Sequence, residues 1–204
     1  LKLFDKHVIF DEITYDQEEL EEFIKRFKGC VVNHSKWQQT IHETIDQGYG
    51  VPTGYNVIDT RLLEGKAPTE YPEVRNLLNK FKNLNILDQH VVISHYDVGF
   101  KLRPHTDHKC QASIMFPIMP KDAGAELVFH DIDPPYEPAR DYKEFWDQVD
   151  YTMKYSTQHP TSFSTQIPHS VAEIQGEPRI YLKFMLFNYT YDQMIEMGKQ
   201  GRLF

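Results

Sequence analysis

The sequence predicts an α+β chain, mainly β, in which helices pack on a C-terminal β core. Three observations predict it. Residues 14–28 and 70–82 carry apolar residues at helical spacing. After Asn85 the texture changes to short β-rich runs broken by Gly, Pro and Asp. No repeat, low-complexity tract or linker divides the 204 residues. The expected layout is therefore one domain over 1–204, with a helical part at 1–85 and a β core at 86–190 that carries an insert at 131–158.

The first helix is read over 14–28, where Leu20, Phe23, Ile24 and Phe27 line one face. Thr14 with Gln17 offers a capping box and Gly29 a stop. A second helix is read over 35–47, capped by Ser35, with Trp37, Ile41 and Ile45 on one side. A third spans 70–82, with Thr69 as cap, Pro72 in the first turn and a face of Val74, Leu77, Leu78 and Phe81. The runs VVISHY, QASIMFPIM, AELVFH, PTSFSTQI and RIYLKFMLFNY read as strands, and several short strands in succession point to a sandwich or barrel. Within the insert, Tyr142, Phe145, Trp146 and Val149 form a helical face.

Composition narrows the function classes. A net charge of −8 gives no footprint for a phosphate backbone, so no nucleic-acid partner is expected. No run of 18 apolar residues is present, and the N-terminal LKLFDKHVIF lacks the layout of a signal peptide. Two cysteines, Cys30 and Cys110, are too few for a disulfide scaffold, so a cytoplasmic setting is expected.

The chemistry concentrates in ISHYDVGFKLRPHTDH, residues 93–108, which holds His95-x-Asp97 and His105-x-Asp107. Residues two apart on an extended chain point the same way, so either pair can hold a metal. The third ligand is sought in STQIPHSV, where His169 follows Pro168 in a second β-like region. Two imidazoles and a carboxylate on a β scaffold make the facial triad of non-haem Fe(II) oxygenases, which leaves metal positions open. Arg179 opens the strand RIYLKFMLF, and its planar fork suits a carboxylate.

The run Tyr96-x-x-Gly99, His105-x-Asp107, Glu126-Leu127-Val128-Phe129, Pro168-His169-Ser170-Val171 and Arg179 resembles the Fe(II)/2-oxoglutarate-dependent oxygenases, and within them the prolyl-hydroxylase-like branch. The resemblance covers about residues 90–188. It implies a double-stranded β-helix, a cupin-like jelly roll with helices outside. It also implies that His105, Asp107 and His169 bind Fe(II), and that Arg179 and Tyr96 bind 2-oxoglutarate. Dioxygen is then the oxidant, ascorbate the assay reductant, and hydroxylation of an amino-acid, peptide or protein substrate the outcome. The same resemblance selects His105 over His95, because Tyr96 fills the place of a cosubstrate tyrosine and strand alternation sends His95 to the other face. Glu126, His130 and His108 are candidate substrate contacts. The insert 131–158 and the aromatic loop 47–55 are candidate lids. Departures are Gly124-Ala125-Glu126 where the family often has Gly-Gly-Glu, and Leu102 where many members have an aromatic residue. Asp107 is retained where halogenases carry a small residue. Met185 stands where nucleic-acid demethylases place a second arginine. The competing readings are a non-oxidative metal-dependent enzyme on the same barrel and a binding module without catalysis.

Overall fold

The computed structural model describes residues 1–26, 72–81, 83–84, 90–96, 98–99, 101–107, 109–121, 126–138, 140–156 and 158–204. The expected helix over 35–47, the stop at Gly29, the cap at Thr69, the loop 47–55, Asp97 and His108 lie outside these residues.

Strands β1 (Lys2–Leu3) and β2 (His7–Ile9) come first, then helix α1 (Gln17–Arg26). Helix α1 begins later than the periodicity predicts. Its cap is Asp16 and not Thr14: Asp16 Oδ1 accepts from the amides of Glu18 at 2.9 Å and Glu19 at 3.1 Å. Helix α2 (Pro72–Asn79) starts on Pro72, whose missing N–H costs nothing at that position. The β core follows as β3 (His90–Tyr96), β4 (Leu102–His105), β5 (Ala112–Met119), β6 (Glu126–His130), β7 (Val149–Lys154), β8 (Thr161–Ser164), β9 (His169–Val171) and β10 (Arg179–Leu186). Helix α3 (Tyr191–Lys199) closes the chain. Thr190 and Gln193 cap it reciprocally, and Gly201 at φ +64° reverses the chain after it. No helix among the described residues is long and apolar enough to cross a membrane.

Two antiparallel sheets form among the described residues. One runs β1-β2-β8-β5-β10-β3, the other β4-β9-β6-β7. Alternation along the central strands sorts side chains into two apolar clusters. Ala112, Ile114, Phe116 and Ile118 of β5 join Leu182, Phe184 and Leu186 of β10 under the helices, with Leu20, Phe23, Val74, Leu77 and Phe81. Edge-to-face rings knit this outer cluster, with Phe81 5.7 Å from Phe10 and 6.2 Å from Phe184. The opposite faces give Met115 and Tyr181 to an inner cluster with Tyr96, Leu127, Phe129, Met153, Tyr155, Phe163, Val171 and Ile174. The candidate site residue His169 sits beside this inner cluster, its ring 5.2 Å from that of Phe163.

The insert differs from expectation. Where a helical face was expected over Tyr142–Val149, a single 3-10 turn spans Lys143–Phe145 and the chain then enters β7. Tyr142 is buried, whereas Val149 is 54% exposed, so the four residues share no face. The competing force is strand pairing: β7 runs beside β6 from Glu126↔Lys154 to Phe129↔Tyr151, and its β-formers satisfy an otherwise open edge.

Candidate metal centre

His105 ends β4 and His169 begins β9, and the antiparallel register sets them opposite each other. Paired residues of neighbouring strands project to one side, so their rings meet with centroids 4.5 Å apart. Asp107 lies two residues beyond His105, and its Oδ1 is 3.5 Å from His105 Nε2. One donor atom from each of His105, Asp107 and His169 lies within 4.8 Å of the others, a group able to hold a metal ion. The structure thus brings together the three residues that the sequence singled out.

The surrounding bonds orient each donor. His105 Nδ1 is 2.9 Å from the Arg103 carbonyl, and His169 Nδ1 is 2.9 Å from the Ile167 carbonyl. A carbonyl only accepts, so each ring carries a proton on Nδ1, which leaves Nε2 as the nitrogen that can meet a metal. Histidines that ligate a metal are commonly oriented in this way, by a carbonyl at the other ring nitrogen. Burial, reinforced by His105 nearby, pushes the His169 imidazole down to about 3, so it is neutral at pH 7. Burial by itself raises the Asp107 carboxyl. The Lys183 ammonium is the main opposing influence, and the carboxyl is held well below the usual range. Asp107 Oδ2 is buried with no hydrogen-bond partner among the described residues. Two imidazoles and one carboxylate fit a divalent cation of borderline character.

The backbone around the cluster is held from two sides. The Asp107 amide donates to the Thr165 carbonyl at 2.9 Å, and Gln166 Nε2 donates back to the Asp107 carbonyl at 3.1 Å. On the outer side, the Tyr142 amide donates to the Pro104 carbonyl at 2.8 Å, and Thr106 and Arg140 bond amide to carbonyl at 3.1 Å. Thr106 Oγ1 donates to the Glu137 carbonyl at 2.6 Å and accepts from the Arg140 amide at 3.2 Å. Arg103 and Asp141 form an ion pair at 3.0 Å. The insert therefore braces the strand that carries His105 along its open edge.

Arg179 is buried at the start of β10, opposite Tyr96 in the register, with its guanidinium 5.9 Å from the Tyr155 ring. Tyr96 packs on Tyr181 at 5.5 Å, and Val91 and Ile93 of the same strand pack in the outer cluster. Gly99 holds φ +84° in the turn after β3, a conformation that glycine adopts without penalty. His130 is buried with both nitrogens occupied: Nδ1 donates to the Phe145 carbonyl at 3.0 Å and Nε2 accepts from Ser170 Oγ at 2.8 Å. That bonding ties three elements together and leaves neither nitrogen for a substrate. Glu126 opens β6 opposite Lys154. Lys183 was not read from the sequence, yet its Nζ is 3.8 Å from Asp107 Oδ2. The spacing Arg179-x-Tyr181-x-Lys183 on a strand was the available signal, since it puts all three on one face.

Neither a family model nor a curated protein matches the chain. Among solved structures, a DMSP lyase, DddQ from Ruegeria pomeroyi DSS-3, aligns at 16% identity and a TM-score of 0.25, over 50% of this chain and 40% of that one. At that level of likeness the function is argued from the geometry of the site alone.

Proposed function

We propose that the chain is an Fe(II)- and 2-oxoglutarate-dependent dioxygenase that hydroxylates a C–H bond of an amino-acid, peptide or protein substrate. The observation that carries this reading is the meeting of His105, Asp107 and His169 donors within 4.8 Å on paired β strands. Supporting it, the described strands form two antiparallel sheets with the orders β8-β5-β10-β3 and β7-β6-β9-β4, which suit the jelly roll that this reading requires. The buried Arg179 at the start of β10 supplies a cation on the inner side of the sheet.

In this reading His105, Asp107 and His169 would hold the metal. Bound iron supplies dioxygen activation coupled to decarboxylation of the 2-oxo acid. The chain's own part is placement. Arg179 fixes the distal carboxylate of the cosubstrate through two parallel N–H donors, and Tyr96 borders it. The aromatic inner cluster keeps water from the reacting centre.

The test is succinate formation from 2-oxoglutarate in the presence of Fe(II), dioxygen and ascorbate. Turnover is expected to vanish without any of the first three and in His169→Ala. Arg179→Ala is expected to raise the KM for 2-oxoglutarate about 10- to 100-fold, the worth of a charge-assisted bidentate contact. Metal-dependent turnover that persists without dioxygen and is indifferent to Arg179→Ala would instead support the non-oxidative enzyme.

A further inference from the structure

We propose that Lys183 is a positioning residue of the metal centre: its ammonium takes one oxygen of Asp107, balances that carboxylate in the metal-free protein, and makes tight metal retention depend on an anionic co-ligand. The inference rests on His105, Asp107 and His169 holding the metal.

The register places Lys183 for this role. It lies opposite Met115 of β5 and shares the inner side of β10 with Tyr181, both members of the inner cluster. Its Nζ approaches Asp107 Oδ2 at 3.8 Å, with the two side chains only 14% and 18% exposed. The two carboxylate oxygens therefore have different neighbours. Oδ1 faces His105 Nε2 at 3.5 Å, and Oδ2 faces the ammonium. A carboxylate held this way offers a metal one oxygen, which keeps positions open for other ligands.

Charge sets the second half of the argument. The Asp107 carboxylate and the Lys183 ammonium carry opposite charges and cancel each other. A divalent cation bound there leaves an excess of two positive charges in a mostly buried site, and the ammonium repels it across a poorly screening medium. A dianionic co-ligand on the metal removes that excess. Lys183 thus weakens the bare ion and strengthens the ion with its anion, a coupling that must act equally in both directions. The ligand class that suits the open positions is a dicarboxylate or another small dianion.

Mn(II) serves as the probe, with free ion read by electron paramagnetic resonance and the fold checked by circular dichroism. Wild type is expected to bind Mn(II) weakly alone and at least tenfold more tightly with 2-oxoglutarate. Lys183→Met is expected to bind Mn(II) alone about tenfold more tightly than wild type and to gain less from 2-oxoglutarate. Lys183→Arg should keep the wild-type pattern. The metal-free melting temperature of Lys183→Met should fall below wild type, with Mn(II) recovering more of it than in wild type. If Lys183→Met does not fold, Lys183→Gln is measured in its place. Mn(II) affinity unchanged or weakened on neutralising Lys183 overturns the inference. Equal Mn(II) binding by wild type and His169→Ala overturns the metal centre itself, a separate outcome.

Discussion

His105 and His169 each give Nδ1 to the carbonyl two residues earlier, and this repeated local bond decides which nitrogen meets a metal. The bond is a property of the folded turn, so the sequence showed the residue types but not the tautomer. His7 shows the opposite use of an imidazole. It is buried beneath Phe4, with ring centroids 4.4 Å apart, and burial pushes it down to about 4. A histidine whose folded value lies below its unfolded value stabilises fully above about pH 6.5, and that contribution is lost as pH falls toward 4. Chemical denaturation of the metal-free protein is expected to show a decline on the order of 2 kcal/mol across this window, allowing for partial solvation of the ring. His7→Gln should flatten that part of the profile. An unchanged slope in the variant would remove His7 as its source. Lys183 was missed because lysine on a strand is usually solvated; its spacing from Arg179 and Tyr181 hinted at an inward position, and the approach of Asp107 shows it.

At the scale of elements, strand β4 was the least legible, since Leu-Arg-Pro-His has no strand composition. It forms because Pro104 sits on an edge strand, where a missing N–H is tolerated, and because β9 and the segment 137–142 hold it on either side. Periodicity found β3, β5, β6, β8, β10 and most of α1 and α2, whose apolar spacing reflects their own buried faces. It misread Tyr142–Val149, because helical spacing over eight residues is a weak signal against the pairing of β7 with β6, which begins at Val149. The insert was a candidate lid, but Glu137, Arg140 and Tyr142 are bonded directly to Pro104 and Thr106 on either side of His105. Thr106→Val is expected to cost about 1–3 kcal/mol of stability by leaving the Glu137 carbonyl and Arg140 amide without their partner. It should also weaken metal binding, measured by Mn(II) titration. Full metal affinity in the variant would show that the brace serves stability alone.

For the whole molecule, the site joins β4 and β9 of one sheet to β10 of the other through Asp107 and Lys183. A ligand bound there spans parts of the chain more than sixty residues apart, so binding is felt by the global transition. A divalent ion at 100 times its Kd adds about 2.7 kcal/mol, which for a chain of this size is about 5–10 °C in Tm. Scanning calorimetry with and without Mn(II) is expected to show that rise, and Asp107→Ala to abolish it. Strand β10 has a further consequence. Its even positions, Leu182, Phe184 and Leu186, build the outer cluster, while Arg179, Tyr181 and Lys183 occupy the odd ones. One reading frame therefore governs both durability and chemistry. An extra residue spliced into the middle of β10 would turn an ammonium toward phenylalanines and a phenylalanine toward the carboxylate, so the two properties would be lost together, and evolution of this strand is confined to exchanges that keep its parity.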